Sequence, residues 1–287
     1  MYTQLIDEIM QNKYQVHGIE VFQNGATVFS HYFDPDVPYP IYSATKSFTA
    51  TAVGFAAGEG KLSIENPLSA YLRQKDLQHV PKAQREAFCH LPIKRFLAMS
   101  VAGYPFRPEG EDYLRFALEC PMNYHKAPEF SYSNIPAYLV GVAVSNAVGM
   151  HLIEYLTPRL FEPLGIAEPI YQNSPEGYFY GASGMHLTVH ELSLLGRLYL
   201  QEGVWQGKQI LTKEWVREAT GIQQKNREGG YGYFFWKYGE GYRISGKWGQ
   251  RCLILPKHSL MITYLSNMPE DSHQVTKTIE RHVISTL

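Results

Sequence analysis

The chain has 287 residues, of which 45% are hydrophobic and 18% charged, with a formal net charge of −1. That is globular composition, long enough for one large domain or two lobes around a sizeable core. No basic run exceeds two residues, so the chain carries no phosphate-backbone footprint and no nucleic-acid partner is expected.

The opening residues, from Tyr2 to Glu8, lack the basic, apolar and small-residue segments of a signal peptide. The most apolar stretch, Ala137 to Met150, is interrupted by Ser145 and Asn146 and is too short to span a bilayer. Cys89, Cys120 and Cys252 are odd in number, far apart and in no metal-like spacing, which reads as reduced thiols. The expectation is a cytoplasmic protein that does not associate with a membrane.

In chain order, Leu5, Ile6, Ile9 and Met10 predict an amphipathic helix over residues 3–13. Two β-rich runs then flank Asn24-Gly25, a type I′ hairpin signal. A proline-rich approach (Pro38, Pro40) ends at Tyr42, and a helical run follows from Ser43 to about Ala57, stopped by Gly58 and Gly60. Residues 62–69 read as a turn with a short helix, and 74–90 as polar surface connection. Helices are expected over 93–99, 135–149, 152–164 and 190–200, with no strand between about 61 and 200. Strand candidates return at 231–236, 242–245, 251–255 and 260–265, before a last helix marked by Val275, Ile279, Val283 and Ile284. This predicts an α+β fold: a central antiparallel sheet flanked by helices, with an inserted all-helical region. Residues 1–60 and 201–287 would form the sheet lobe, 61–200 the helical lobe, and a cleft would lie between them.

Three stretches carry candidate chemistry. Lys46 follows Ser43 by about one helical turn, so the two side chains share a face. A serine hydroxyl becomes a nucleophile when a base takes its proton, and a lysine of lowered pKa can be that base. By itself the spacing fits equally an N-cap serine followed by a solvated lysine. Phe130-Ser131-Tyr132-Ser133-Asn134 stands just before an apolar helix. Tyr132 there could relay a proton, and Asn134 could bind a carbonyl or Lys46. A second Tyr-x-Asn, Tyr171-Gln172-Asn173, lies between Pro169 and Pro175 and reads as surface connection. The third stretch, Ser245-Gly246-Lys247-Trp248-Gly249-Gln250, joins two strand candidates. Its glycines would let a substrate reach backbone N–H groups, although a plain hairpin turn fits too, and Lys237-Tyr238-Gly239 is a nearby decoy. His186 and His190 have zinc-like i, i+4 spacing but no third ligand, so no metal site and no cofactor are expected.

The ordered set Ser43-x-x-Lys46, Tyr132-x-Asn134 and a late Lys-x-Gly resembles the serine β-lactamase and penicillin-binding-protein superfamily, most of all class C β-lactamases and related esterases. Phe161-Glu162-Pro163-Leu164-Gly165-Ile166 adds to the likeness, which covers nearly the whole chain. The resemblance implies a β-lactamase/transpeptidase-like fold, Ser43 as acylated nucleophile, Lys46 as its activator and Tyr132 as general base and acid. Which of Lys46 and Tyr132 is the base stays open. Asn134, Gly246, Lys247, Trp248, Gly249 and Gln250 would bind substrate or form the oxyanion hole. Two registers are open: Lys247-Trp248-Gly249 as the literal motif, or Gly246 at the family's glycine position with Lys247 giving its N–H. The implied activity is hydrolysis of small acyl substrates, as an esterase or amidase. A β-lactamase or D-amino-acid peptidase is the alternative, and beyond it a transacylase or a non-catalytic binding protein.

Overall fold

The computed structural model describes residues 2–122, 124 and 127–287. The chain begins with α1 (Tyr2–Gln11), β1 (Val16–Gln23), β2 (Ala26–Tyr32), the two-residue β3 (Tyr39–Pro40) and α2 (Thr45–Gly58). A helical stretch follows: α3 (Gln74–Leu77), α4 (Lys82–His90), α5 (Ile93–Leu97), α6 (Tyr113–Glu119), α7 (Asn134–Val148), α8 (Leu152–Leu156) and α9 (Glu162–Leu164). Then come β4 (His186–Leu187), α10 (Val189–Leu200), β5 (Val204–Trp205), β6 (Lys208–Gln209) and α11 (Lys213–Thr220). The chain closes with β7 (Trp236–Tyr238), β8 (Gly241–Gly246), β9 (Gln250–Leu255), β10 (Leu260–Ser266) and α12 (His273–His282).

The six-stranded antiparallel sheet has the order β2-β1-β10-β9-β8-β7, so the N-terminal hairpin is completed by strands from the far end of the chain. Asn24 and Gly25 take φ of 50° and 87°, the two positive values that a type I′ turn needs. Side chains of β9 and β10 alternate between two cores, as period-2 geometry requires. Leu253, Leu255, Leu260 and Ile262 meet α1 and α12 through Leu5, Ile9, Val275 and Ile279. Cys252, Ile254 and Met261 face the larger core, which holds α2, α7 and α10.

The helix α10 packs on the sheet, against β1, β9 and β10, although it precedes residue 201. Glu20, buried on β1, ties it there by accepting from Ser193 Oγ (2.7 Å) and Arg197 Nη2 (3.0 Å), with His190 Nδ1 at 2.8 Å. Burial pushes the Glu20 carboxyl up, but hydrogen bonds from His190, Ser193 and Tyr32 outweigh it and hold the pKa at about 2. The group's folded pKa is therefore depressed below 4.5, and its stabilisation is lost only as pH falls toward 2.

Three sequence expectations are corrected. Residues 74–90 are not bare connection but carry α3 and α4, the latter anchored by buried Ala87 and Phe88 on an otherwise polar surface helix. Residues 231–235 do not form a strand, because Phe234 takes φ 64° and Gly232 is pressed against the Ala219 carbonyl of α11. That aromatic run fills the core, and the edge strand begins at Trp236. Between 61 and 200 one short strand does occur, β4, which pairs with β3. Among the described residues no single helix is long and apolar enough to cross a membrane.

Candidate active site

The β3–β4 bridge and the bond from Ile41 N to Met185 O (3.0 Å) fix the chain just before Ser43. Tyr42 then takes φ 48°, a left-handed value that a tyrosine adopts only where its surroundings hold it. This turns the chain into a short 3-10 turn, Tyr42–Ala44, that runs into α2. Ser43 is not the N-cap of α2, whose cap position is Ala44 with no side-chain bond. The reading of Ser43 as a capping residue is thereby corrected, and its hydroxyl is left to meet Lys46.

Lys46 is 1% exposed. Its Nζ donates to Ser43 Oγ (3.1 Å), Asn134 Oδ1 (2.6 Å) and the Ala182 carbonyl (2.8 Å), three acceptors for three N–H groups. No carboxylate pairs with it among the described residues, and burial lowers its pKa to about 7. Near neutral pH the amine thus exists in both forms and can take or hold a proton.

Tyr132 shares a hydrogen bond with Ser43. Its ring is held by Phe130, Trp236 and Tyr231 at centroid distances of 6.4, 5.5 and 6.2 Å, and Lys46 Nζ lies 5.0 Å from its centroid. Burial pushes the phenol up to about 12, against the opposing effects of the Ser43 bond and the Arg251 charge. Asn134 is the first residue of α7, where Ser133 Oγ accepts from Ile135 N (3.1 Å). Besides binding Lys46, Asn134 donates through Nδ2 to Tyr180 OH (3.3 Å).

The third motif divides. Ser245, Gly246 and Lys247 line the same cleft as Ser43, Tyr132 and Asn134, a cavity of about 820 Å³. Gly249 turns away toward Ser266, and Gln250 donates to the Ser266 carbonyl (2.6 Å). Trp248, at φ 61°, packs edge-on against Tyr42 at 5.2 Å and lines a neighbouring recess rather than the cleft. The geometry therefore favours the register with Gly246 at the cleft edge, and the Lys247 ammonium lies over the Trp248 ring at 4.4 Å. A Cβ at Gly246 would sit 2.1 Å from the Ile41 carbonyl oxygen, immediately before the Tyr42–Ala44 turn that holds Ser43. Gly246→Ala should therefore lower kcat/KM by ~10²-fold, the scale of a misplacement near 1 Å. Steady-state kinetics beside a melting curve check this.

Of the second Tyr-x-Asn copy, only Gln172 reaches the cleft. Tyr171 packs on Phe179, and Asn173 Oδ1 is 3.1 Å from His151 Nε2. His190 is engaged with Glu20, and no group of three metal-type ligands gathers among the described residues. Sequence reasoning missed Ala182, whose contribution is a main-chain carbonyl that no side-chain pattern announces. It also missed Tyr113, Tyr180 and Trp236 as cleft walls, and Arg107 and Glu109 at the rim. The 21 Tyr and 14 Phe hinted at an aromatic pocket without saying which residues build it.

A sheet assembled from both chain ends, with the Ser43–Lys46–Tyr132 cluster where the helical region meets it, is the β-lactamase/transpeptidase-like architecture. The chain belongs to the Beta-lactamase family, whose profile matches residues 3–283. Among its relatives, a 6-aminohexanoate-dimer hydrolase of Paenarthrobacter ureafaciens is 23% identical over 288 residues, covering 86% of this chain and 71% of that protein. The crystal structure of SurE with D-Leu superposes with a TM-score of 0.77 at 18% identity, over 99% of this chain and 74% of SurE. A penicillin binding protein from Bacillus halodurans gives 0.71 at 17% identity, over 96% and 99%. At such identities the superpositions speak for the fold.

Proposed function

We propose that the protein is a serine hydrolase that forms an acyl-enzyme on Ser43 and acts on small esters or amides. The observation that carries this reading is the Ser43 hydroxyl held between a carboxylate-free, buried Lys46 of pKa about 7 and the Tyr132 hydroxyl. In the acylation step the Ser43 oxygen attacks the substrate carbonyl carbon and its proton passes to the Lys46–Tyr132 pair. That proton then goes to the departing alcohol or amine as the carbon–oxygen or carbon–nitrogen bond breaks. Water then repeats the sequence: it gives a proton to the same pair as its oxygen bonds to the acyl carbon, the ester bond to Ser43 breaks, the pair returns the proton to the Ser43 oxygen, and the carboxylic acid leaves. The Ser43 and Lys247 N–H groups are the candidates for the oxyanion hole, with Gly246 permitting the approach.

Aromatic walls from Tyr42, Tyr113, Tyr180 and Trp236 suit an apolar acyl or leaving group, while Arg107 and Glu109 bring both charges to the rim. The relative that hydrolyses a 6-aminohexanoate dimer supports including amides, and the D-Leu of the SurE structure supports including D-amino-acid derivatives. Treatment with a fluorophosphonate should add one adduct by intact mass, mapped to the peptide that holds Ser43. A panel of p-nitrophenyl esters, D-amino-acid amides and nitrocefin then ranks substrate classes. An adduct on any other residue, or none, overturns the reading.

A further inference from the structure

Arg251 lies on β9 opposite Ser245, one residue from the cleft edge at Gly246. It is 5% exposed. Its Nη1 donates to the carbonyls of Gly246 and Gln250, the latter at 3.0 Å, and its Nε is buried without a partner. Glu228, an acid whose field reaches it, is bound to Arg243 instead. A guanidinium keeps its charge at every working pH, and burial without a bonded counter-ion is expensive. Such a group calls for an explanation at a site where charge must develop.

The groups facing Tyr132 are Ser43 from the Tyr42–Ala44 turn, Lys46 from α2, Arg251 from β9, and Glu228 and Tyr231 from the segment before β7. Those facing Arg251 include also Tyr264 on β10 and Arg243 on β8. Lys46 is only partly charged near pH 7, Glu228 is paired with Arg243 and Lys247 is exposed over Trp248. Arg251 is thus the buried, permanently charged cation whose field reaches Tyr132, and the cation that holds the Gly246 carbonyl.

We propose that Arg251 is a positioning residue for acyl transfer: it fixes the Gly246 edge of the cleft and gives the permanent positive charge against which negative charge develops on Tyr132 and Ser43. This rests on the serine-hydrolase reading above. Arg251 touches no substrate and acts through its neighbours.

Two readouts separate the inference from that reading. The first is the pH dependence of Ser43 labelling by a fluorophosphonate, between about pH 5.5 and 9.5, in wild type, Arg251→Gln and Arg251→Lys. The second is iodoacetamide alkylation at position 43 in Ser43→Cys, followed by peptide mapping, with and without the same Arg251 substitutions. Arg251→Gln retains an N–H donor for Gly246, with Arg251→Met as the neutral substitute if it does not fold. The neutral variant should move the acidic limb of labelling, and the midpoint of thiol alkylation, upward by about one pH unit. Labelling at pH 7 should fall ~5-fold. Arg251→Lys, which keeps the charge, should stay within about 0.3 unit of the parent. An unmoved alkylation midpoint in the neutral variant, or an equal shift in Arg251→Lys, overturns the proposal. Absence of label on wild-type Ser43 would instead sink the hydrolase reading, and the thiol titration would still decide the role of Arg251.

Discussion

Lys46→Met should lower kcat/KM toward a p-nitrophenyl ester by ~10³–10⁴-fold, the upper range for loss of a positioned base, while the protein stays folded. Methionine keeps most of the straight stem in its slot but removes the donor to Ser43, so on the proposed mechanism Ser43 loses one of the two groups that would take its proton. The structural cost has two opposing parts. Asn134 Oδ1 and the Ala182 carbonyl lose their shared partner, at about 1–3 kcal/mol for each buried acceptor left unsatisfied. Against that, a fully buried amine no longer has to be desolvated. Below neutral pH, where the folded protein would otherwise hold it as an ammonium, this second effect is larger.

The same residue sets a pH dependence whose direction follows from proton counts. Lys46 titrates at 10.5 when solvated and at about 7 in the fold, so between those values the unfolded chain binds the extra proton. Stability therefore rises with pH across that window, and the increment is absent below about 7. Subtracting the melting profile of Lys46→Met from that of wild type should isolate this slope; identical slopes would mean that the amine is not desolvated. Activity should climb through about pH 7 as the neutral amine appears, and this limb should vanish with the lysine.

Tyr132→Phe should reduce turnover by ~10²–10⁴-fold. The ring contacts with Phe130, Tyr231 and Trp236 do not involve the hydroxyl, so melting should change little. With its phenol pushed up to about 12, Tyr132 alone would hold a vanishing share of phenolate at neutral pH. On the proposed mechanism its role comes from coupling to Lys46 through Ser43, with the proton shared over the cluster. If Tyr132→Phe and Lys46→Met act on one proton path, the double variant should lose little more than Lys46→Met alone, which pre-steady-state acylation rates would reveal. Full additivity would assign them to separate steps.

How far the fold was legible depended on what kind of order each segment carries. Asn24-Gly25 dictated its own turn, and the apolar, β-rich runs 251–255 and 260–265 on either side of the Pro256–Ser259 turn dictated the two central strands, because each signal is local. Helix α4 was invisible because its surface is polar and only Ala87 and Phe88 reach the core. Tyr231 to Phe235 misled because aromatic alternation was read as a ladder, whereas α11 and the left-handed Phe234 make it core packing. In the site, Ser43, Lys46, Tyr132 and Asn134 were readable as side chains at helix starts. The choice between Gly246 and Gly249 was not, since it depends on which backbone presses against Ile41, a contact about 200 residues away in sequence. Nor could any sequence pattern show that Lys46 would find its third acceptor in the Ala182 carbonyl.

The burial of α2 has a further consequence. From Thr45 to Ala56 every residue of this helix is buried, so Lys46 is anchored in the central pillar of the molecule rather than in a surface loop. Amides along that pillar should be among the last to exchange with deuterium, opening only when the whole molecule unfolds. The chemistry and the global stability then share one structural element, and loosening one loosens the other. Room for evolving new substrates lies elsewhere, in the 106–110 segment, where all but Pro108 are exposed and Phe106 is 61% exposed above Tyr132. Diversifying that segment should alter selectivity while leaving the melting temperature nearly untouched.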